Sequence, residues 1–352
     1  MTLVGNATAI IVACTIQVTA CLGTFGALRH FLFGKIAGTQ LMSQTETIFI
    51  ALTIVVIALI IGNLIFQFIA EKRNPPLGRF IESDGIRLHY IDRGKPDAPC
   101  VVLFHGNGTM IQDLTISGLV DLLARNSRVI CFDRPGFGHS QRTRSRLWTA
   151  TAQAELFVKV LAQLRVRKPA VFGHSWGTLV ASAVALRKDY PIRGLVLASG
   201  YYFPTFRLDF WMMSGPAVPV FGDLLRYTIA PIISWAILPG LFRKLFAPRN
   251  ISEPFRNEFP KSLILRPKQL KAAAEESAFL IPVTAQMQSQ YARIECPVHI
   301  VHGKDDKIIE PEQSRRLHSA IRHSALNLIN EGGHMITHEE PQAIAQAVMA
   351  LR

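Results

Sequence analysis

Ser175 stands between two glycines in Gly173-His174-Ser175-Trp176-Gly177. Apolar residues precede this pentapeptide and a run of small residues, 178–185, follows it. A serine hydroxyl is a poor nucleophile until a base takes its proton, and the base must in turn be held by an acid. Two later stretches carry those residue types. "VHGKDDKIIEP" holds Asp305 and Asp306, and "NEGGHMITHEEP" holds His334 and His338. The G-x-S-x-G spacing suits a sharp turn from strand to helix. Glycines are needed there because a Cβ would strike neighbouring backbone, and the turn aims the free N–H groups of the next helix at the serine. Such a set is equipped to attack a carbonyl carbon.

The elements that would hold these groups alternate in type. "RFIES" and "RLHYIDRG" read as two short strands joined at Asp84-Gly85. Continuous apolar runs at 100–106, 128–133, 170–174, 194–200 and 296–303 read as strands covered on both faces, and 325–329 reads as a further strand. Helical spacing falls at 113–125, 149–164 and 176–189, from about Pro311, and from about Glu340. This rhythm implies a mainly parallel α/β sheet with helices on both faces. Residues 201–292 break it, being rich in Phe, Trp, Tyr, Met and Pro without strand alternation. They read as a helical cap inserted into a core of residues 74–200 and 293–352.

Five segments occur together in one order: "HGNG" (105–108), "DRPGFGHS" (133–140), "GHSWG", "HGKDD" and "GGH". With them, residues 79–352 resemble the α/β-hydrolase family. The resemblance implies a nucleophile at Ser175, an acid at Asp306 (three after Gly303) with Asp305 as its rival, and a base at His334 rather than His338. It also implies an oxyanion hole built from the backbone N–H groups of Asn107 and Trp176, and no cofactor or metal. The implied activity is cleavage of a carboxylic ester or related acyl bond of an apolar substrate through an acyl-enzyme.

Two narrower likenesses compete with it. A Trp beside the nucleophile and an Asn after His-Gly are similar to haloalkane dehalogenases, but those enzymes use an aspartate where this chain has Ser175. Ser-Trp-Gly also resembles the elbow of proline iminopeptidases, whose acidic cap residues would correspond to Glu253, Glu258, Glu275 or Glu276. Solvated helix faces are the plainer reading of those four glutamates. A catalytically silent membrane binding protein is a third possibility, which the complete triad argues against. Among the other histidines, His323 and His338 read as surface or helix-start residues. His105 and His139 read as loop braces, and His174 as packing beneath the turn. Asp133 reads as fixing its own loop.

Residues 1–70 contain only Arg29, Lys35 and Glu46 as charged side chains, although the 352-residue chain has a net charge of +13. Residues 48–69 carry no charge and span about 33 Å as a helix, enough to cross a bilayer core. Residues 8–28, with Gln17 and several threonines, read as a first membrane helix, and 1–73 as a membrane anchor with helices 8–28 and 48–70. A signal peptide would need positive charge before its apolar run, and none precedes Arg29. Lys72, Arg73 and Arg79 follow the second helix, which places the main domain on the cytoplasmic side of the membrane. The five cysteines show no spacing of a disulfide framework or zinc site. Basic residues at Arg207, Arg226, Arg243, Lys244 and Arg249, among apolar cap residues such as Phe210 and Trp211, suit contact with anionic lipid. No nucleic-acid-binding motif accompanies the charge.

Overall fold

The protein is described here by a computed structural model, which covers residues 43–208 and 212–351. The expected first membrane helix at 8–28 lies outside the described residues, as do Phe210 and Trp211. The chain separates into two compact units, Met1–Val55 and Val56–Arg352.

A helix at Gln44–Arg73 contains the whole charge-free run. It opens on a reciprocal cap: Ser43 N–H donates to the Glu46 carboxylate at 3.0 Å, and Glu46 N–H to Ser43 Oγ at 3.3 Å. Lys72 and Arg73 close it, where cations favour a helix C-terminus. Among the described residues it is the one single helix long and apolar enough to span a bilayer. Its buried positions are Ile60, Asn63 and Ala70.

The sheet has eight strands in the order β1-β2-β4-β3-β5-β6-β7-β8. They are β1 (Arg79–Ser83), β2 (Ile86–Arg93), β3 (Cys100–Phe104), β4 (Arg128–Phe132), β5 (Ala170–His174), β6 (Gly194–Ala198), β7 (Val298–Gly303) and β8 (Ala325–Ile329). β1 pairs antiparallel with β2, and β2 antiparallel with β4. The remaining pairs are parallel. β5 and β6 are buried at every position, which is why both read as unbroken apolar runs. One face packs on helices Ala150–Gln163 and Gly177–Ala185 through Phe157, Leu161, Leu179 and Val180. The other packs on helices Leu119–Ala124 and Pro341–Met349 through Leu119, Leu123, Ile344 and Val348. The expected helix at 113–125 is two short ones, Ile111–Ile116 and Leu119–Ala124. Gly118 divides them at φ 77°, a conformation in which glycine meets no Cβ penalty.

Between β6 and β7 the described residues form helices and no strand. The longer ones are Ala230–Phe246 and Pro267–Met287. Ala230–Phe246 buries Pro231, Leu238, Phe242 and Phe246 on one side. Those phenylalanines join Ala70, Phe255, Phe259 and Met335 in a separate apolar cluster. Ile232, Ile233, Trp235 and Ile237 face outward. The large apolar cap residues divide between core and surface. Phe203 is buried, but Phe206 is 88% exposed, Met212 71% and Trp235 70%. Arg226, read as a surface charge, is buried against Asp223.

Candidate active site

β5 ends at His174, and Ser175 adopts φ 52° before the helix Gly177–Ala185 begins. A non-glycine residue in the left-handed region stores strain, and here two neighbours hold it there. Ser175 N–H donates to Ala198 O at 2.8 Å, and Ser175 O accepts from Thr178 Oγ1 at 2.6 Å. The flanking glycines are steric necessities. A Cβ at Gly173 would collide with the Gly177 carbonyl, and one at Gly177 with the carbonyls of Phe104 and His105. The elbow is thereby pressed against the end of β3.

Beyond β7 and β8 two loops are locked together by backbone. Asp305 N–H donates to Gly332 O at 3.0 Å, and Lys304 N–H to Ile329 O at 2.8 Å. This brings the two partners to Ser175. His334 Nε2 lies 3.0 Å from Ser175 Oγ, and His334 Nδ1 lies 2.8 Å from Asp306 Oδ2. Asp306 and His334 are buried, while Ser175 is half-exposed. Asp306 Oδ1 accepts from the N–H groups of Ile308 and Ile309 at 2.8 and 2.9 Å. Burial opposes the charge on Asp306, but the neighbouring His334 and His302 outweigh it and hold the carboxyl well below the usual carboxylate range. The geometry therefore joins His334 to Asp306 rather than to Asp305. A chain of hydrogen bonds runs from a fixed carboxylate through one imidazole to a hydroxyl, the arrangement that general-base activation of a nucleophile requires.

The loop after β3 passes beside the serine. A Cβ on Gly106 would lie 3.2 Å from the Ser175 Cβ, so the Asn107 backbone follows directly from a residue touching the elbow. The side chains of Asn107 and Trp176 are turned elsewhere. Asn107 Nδ2 donates to Ala273 O at 3.1 Å and Ser277 Oγ at 3.3 Å, and Trp176 Nε1 to Glu276 O at 3.1 Å. All three acceptors lie on the helix Pro267–Met287.

Four other histidines have partners of their own. His105 Nε2 accepts from Arg134 N–H at 3.0 Å, so Nδ1 carries the proton and donates to Gly106 O at 2.8 Å. Burial lowers its pKa to about 3. His174 lies under the elbow, bonded to His334 O at 3.0 Å, and burial lowers its pKa to about 4. His139 reaches Asn74 O at 3.0 Å. Asp133 accepts from the N–H groups of Ile111 and His139, which ties its loop down. His338 does not turn its ring to the surface: the side chain is buried, 2.8 Å from Asp113 and against the rings of Phe246 and Phe255.

The four cap glutamates divide. Glu253 and Glu258 are exposed. Glu275 and Glu276 are not free, since the half-buried Glu275 pairs with Arg142 and Lys271 and the fully buried Glu276 with Arg134. Sequence reasoning passed over Arg134, because its partner is 142 residues away. Its only local signal is a position inside "DRPGFGHS".

A mostly parallel sheet interrupted before β7 by helices, with serine, histidine and aspartate beyond the ends of three different strands, defines a class. Residues 99–341 match the family description of the alpha/beta hydrolase fold, and this chain belongs to that family. Among its curated relatives, an uncharacterised hydrolase of Bacillus subtilis, YugF, is 23% identical over 78% of this chain and 96% of its own length. A haloalkane dehalogenase of Mycobacterium marinum is 35% identical over 56% of this chain and 63% of its own length. A solved structure described as a membrane phospholipase A, a bacterial virulence factor, superposes with a TM-score of 0.60. It is 18% identical and covers 96% of this chain and 97% of its own, a likeness of fold. Both curated relatives are hydrolases by their descriptions.

Proposed function

We propose that the chain is a membrane-anchored serine hydrolase that cleaves carboxylic esters of apolar, lipid-like substrates, with its domain on the cytoplasmic side. The observation that carries this reading is the continuous contact from Asp306 through His334 to Ser175, at 2.8 and 3.0 Å. Ser175 Oγ attacks the ester carbonyl while His334 Nε2 takes its proton. Asp306 holds the Nδ1–H tautomer and balances the imidazolium. The N–H groups of Trp176 and Asn107 receive the developing oxyanion. His334 then protonates the leaving alcohol, and water, activated by the same imidazole, releases the acid from the acyl-enzyme.

Dehalogenation fits poorly. A carboxylate nucleophile is missing at Ser175, and the side-chain N–H groups of Asn107 and Trp176 are engaged by the helix Pro267–Met287. An aminopeptidase needs a free acid for the substrate's ammonium group; Glu275 and Glu276 are both neutralised by buried or half-buried cations, which leaves only the exposed Glu253 and Glu258 for that part.

Attachment to a bilayer is supported by the helix Gln44–Arg73 and by the outward apolar face of the cap. Arg243 and Lys244 are exposed at the end of the helix that carries Trp235. The membrane phospholipase A structure, similar over nearly the whole chain, acts on lipid by its description, and it favours the same substrate class here. The test is turnover of an aryl-ester series of increasing acyl length against a prolyl arylamide, with Ser175→Ala as control. Ester turnover abolished in the variant supports the reading, and preferential turnover of the arylamide overturns it.

A further inference from the structure

Arg134 lies in the loop after β4 and has no solvent exposure. All five of its guanidinium N–H groups are committed. Nε donates to His105 O at 2.8 Å, and one Nη2–H to Gly106 O at 2.8 Å. The other Nη2–H reaches Glu276 Oε2 at 2.9 Å, while Nη1 serves Glu276 Oε1 and Gln153 Oε1. Gln153 donates back to Glu276 at 3.0 Å, closing the network. The guanidinium carbon also sits 4.9 Å from the centre of the Trp176 ring.

The Gly106 carbonyl is thus held by Arg134, by His105 Nδ1–H at 2.8 Å and by Thr109 Oγ1 at 3.3 Å. A trans peptide is planar, and its C=O and N–H point in opposite directions. Fixing the Gly106 oxygen therefore fixes the direction of the Asn107 N–H, away from the guanidinium. Glu276 is the group that makes this possible, because a buried guanidinium is retained only where its charge and donors are satisfied.

We propose that Arg134 is a positioning residue which aims the Asn107 N–H at the reacting carbonyl oxygen, with Glu276 of the cap helix Pro267–Met287 holding it in place. The cap then bears on the chemistry as well as on substrate choice, since its carboxylate orients the guanidinium that orients the oxyanion donor. This inference rests on the reading of Ser175 as nucleophile and of the Asn107 N–H as an oxyanion donor.

The test uses the full-length chain and two ketones of one acyl group. A trifluoromethyl ketone adds Ser175 and places an oxyanion in the hole, whereas the methyl ketone binds without that charge. Arg134→Met with Glu276→Met removes the buried pair as a unit and leaves no orphaned charge. It should lower kcat on a short aryl ester by on the order of 10- to 100-fold, within what loss of an oxyanion donor costs. Affinity for the trifluoromethyl ketone should fall by a similar factor, with KM and methyl-ketone affinity within twofold. Glu276→Gln, which keeps one accepting oxygen and turns the other into a donor facing Arg134 or Gln153, should shift the same ratio in the same direction by less, and it decides the matter if the double variant fails to fold. An unchanged ratio in the folded variants, or equal loss for both ketones, overturns the positioning role while leaving the hydrolase reading intact. Full turnover in Ser175→Ala would overturn both.

Discussion

At the scale of single residues, the site is organised by which groups are kept from titrating. Ser175→Ala, His334→Ala and Asp306→Asn should each lower kcat by about 10³-fold or more, and the losses should not add, because the three act as a unit. Asp305→Asn should be mild, since its contact with the histidine loop is a backbone one. Steady-state kinetics on the single and double variants checks both statements. Asp306 is held ionised well below the range of an ordinary carboxyl, so it contributes nothing to an acid limb above pH 5. kcat/KM should therefore fall toward acid with a slope of one proton. Stability should show more. His105 and His174 are buried neutral, with pKa lowered from 6.5 to about 3 and about 4. In the unfolded chain they take up protons below about 6.5, while the folded chain refuses them. Their contribution is complete above the unfolded value and is lost as pH falls through the folded ones. Between pH 6 and pH 4.5, unfolding free energy should drop by about 1.4 kcal/mol per pH unit for each histidine. Urea titrations at stepped pH measure it; half that slope would mean that one of the two is charged in the fold, and a flat profile that both are.

At the scale of elements, two of the connections between cap, core and apolar helix fall on backbone groups that a helix end leaves unpaired. Asn63 Nδ2 donates to the carbonyls of Tyr227 and Thr228 at 2.9 and 3.0 Å, just where the helix Phe221–Tyr227 stops. Leu245 O, near the end of Ala230–Phe246, accepts from His334 N–H at 3.2 Å. Asn63→Leu should cost about 1–3 kcal/mol through orphaned carbonyls. Hydrogen exchange should quicken across 221–230 with Ser175 kinetics on soluble esters unchanged; unaltered exchange there would remove Asn63 as a clip. These links also mark where sequence reasoning stops. The strands at 100–104, 170–174 and 194–198 were legible because each is buried on both faces, so its apolar run owes nothing to partners. The three residues that the geometry brings together, Ser175, Asp306 and His334, were legible because each follows a strand end near a glycine. Glu276, His338 and Trp235 were not, because whether a polar or aromatic side chain turns inward depends on a partner far along the chain. Glu276 meets Arg134, His338 meets Asp113, and Trp235 meets no core at all.

For the whole molecule, the proposal joins a buried catalytic chain to a surface built for lipid. Trp235, Ile232, Ile233 and Ile237 lie outward on one cap helix, and Met212, Met213 and Phe206 are exposed on the same insertion. A soluble enzyme gains little from such a face. Trp235→Ser with Ile233→Ser should leave turnover of a short soluble ester within twofold and lower turnover of the same acyl group presented in anionic vesicles by about tenfold, as expected when interfacial apolar area is removed. Equal loss on both substrates would assign these residues to folding instead. The central claim, that Ser175 is an activated nucleophile in an ester hydrolase, has a more direct test. Purified full-length protein is treated with a reporter-bearing fluorophosphonate at pH 7.5, and the adduct is mapped by peptide mass spectrometry. The account predicts one adduct, on Ser175, absent from Ser175→Ala and slowed by about 10³-fold in His334→Ala, in step with loss of the general base. An adduct on any other residue, or none on a folded protein, would contradict it.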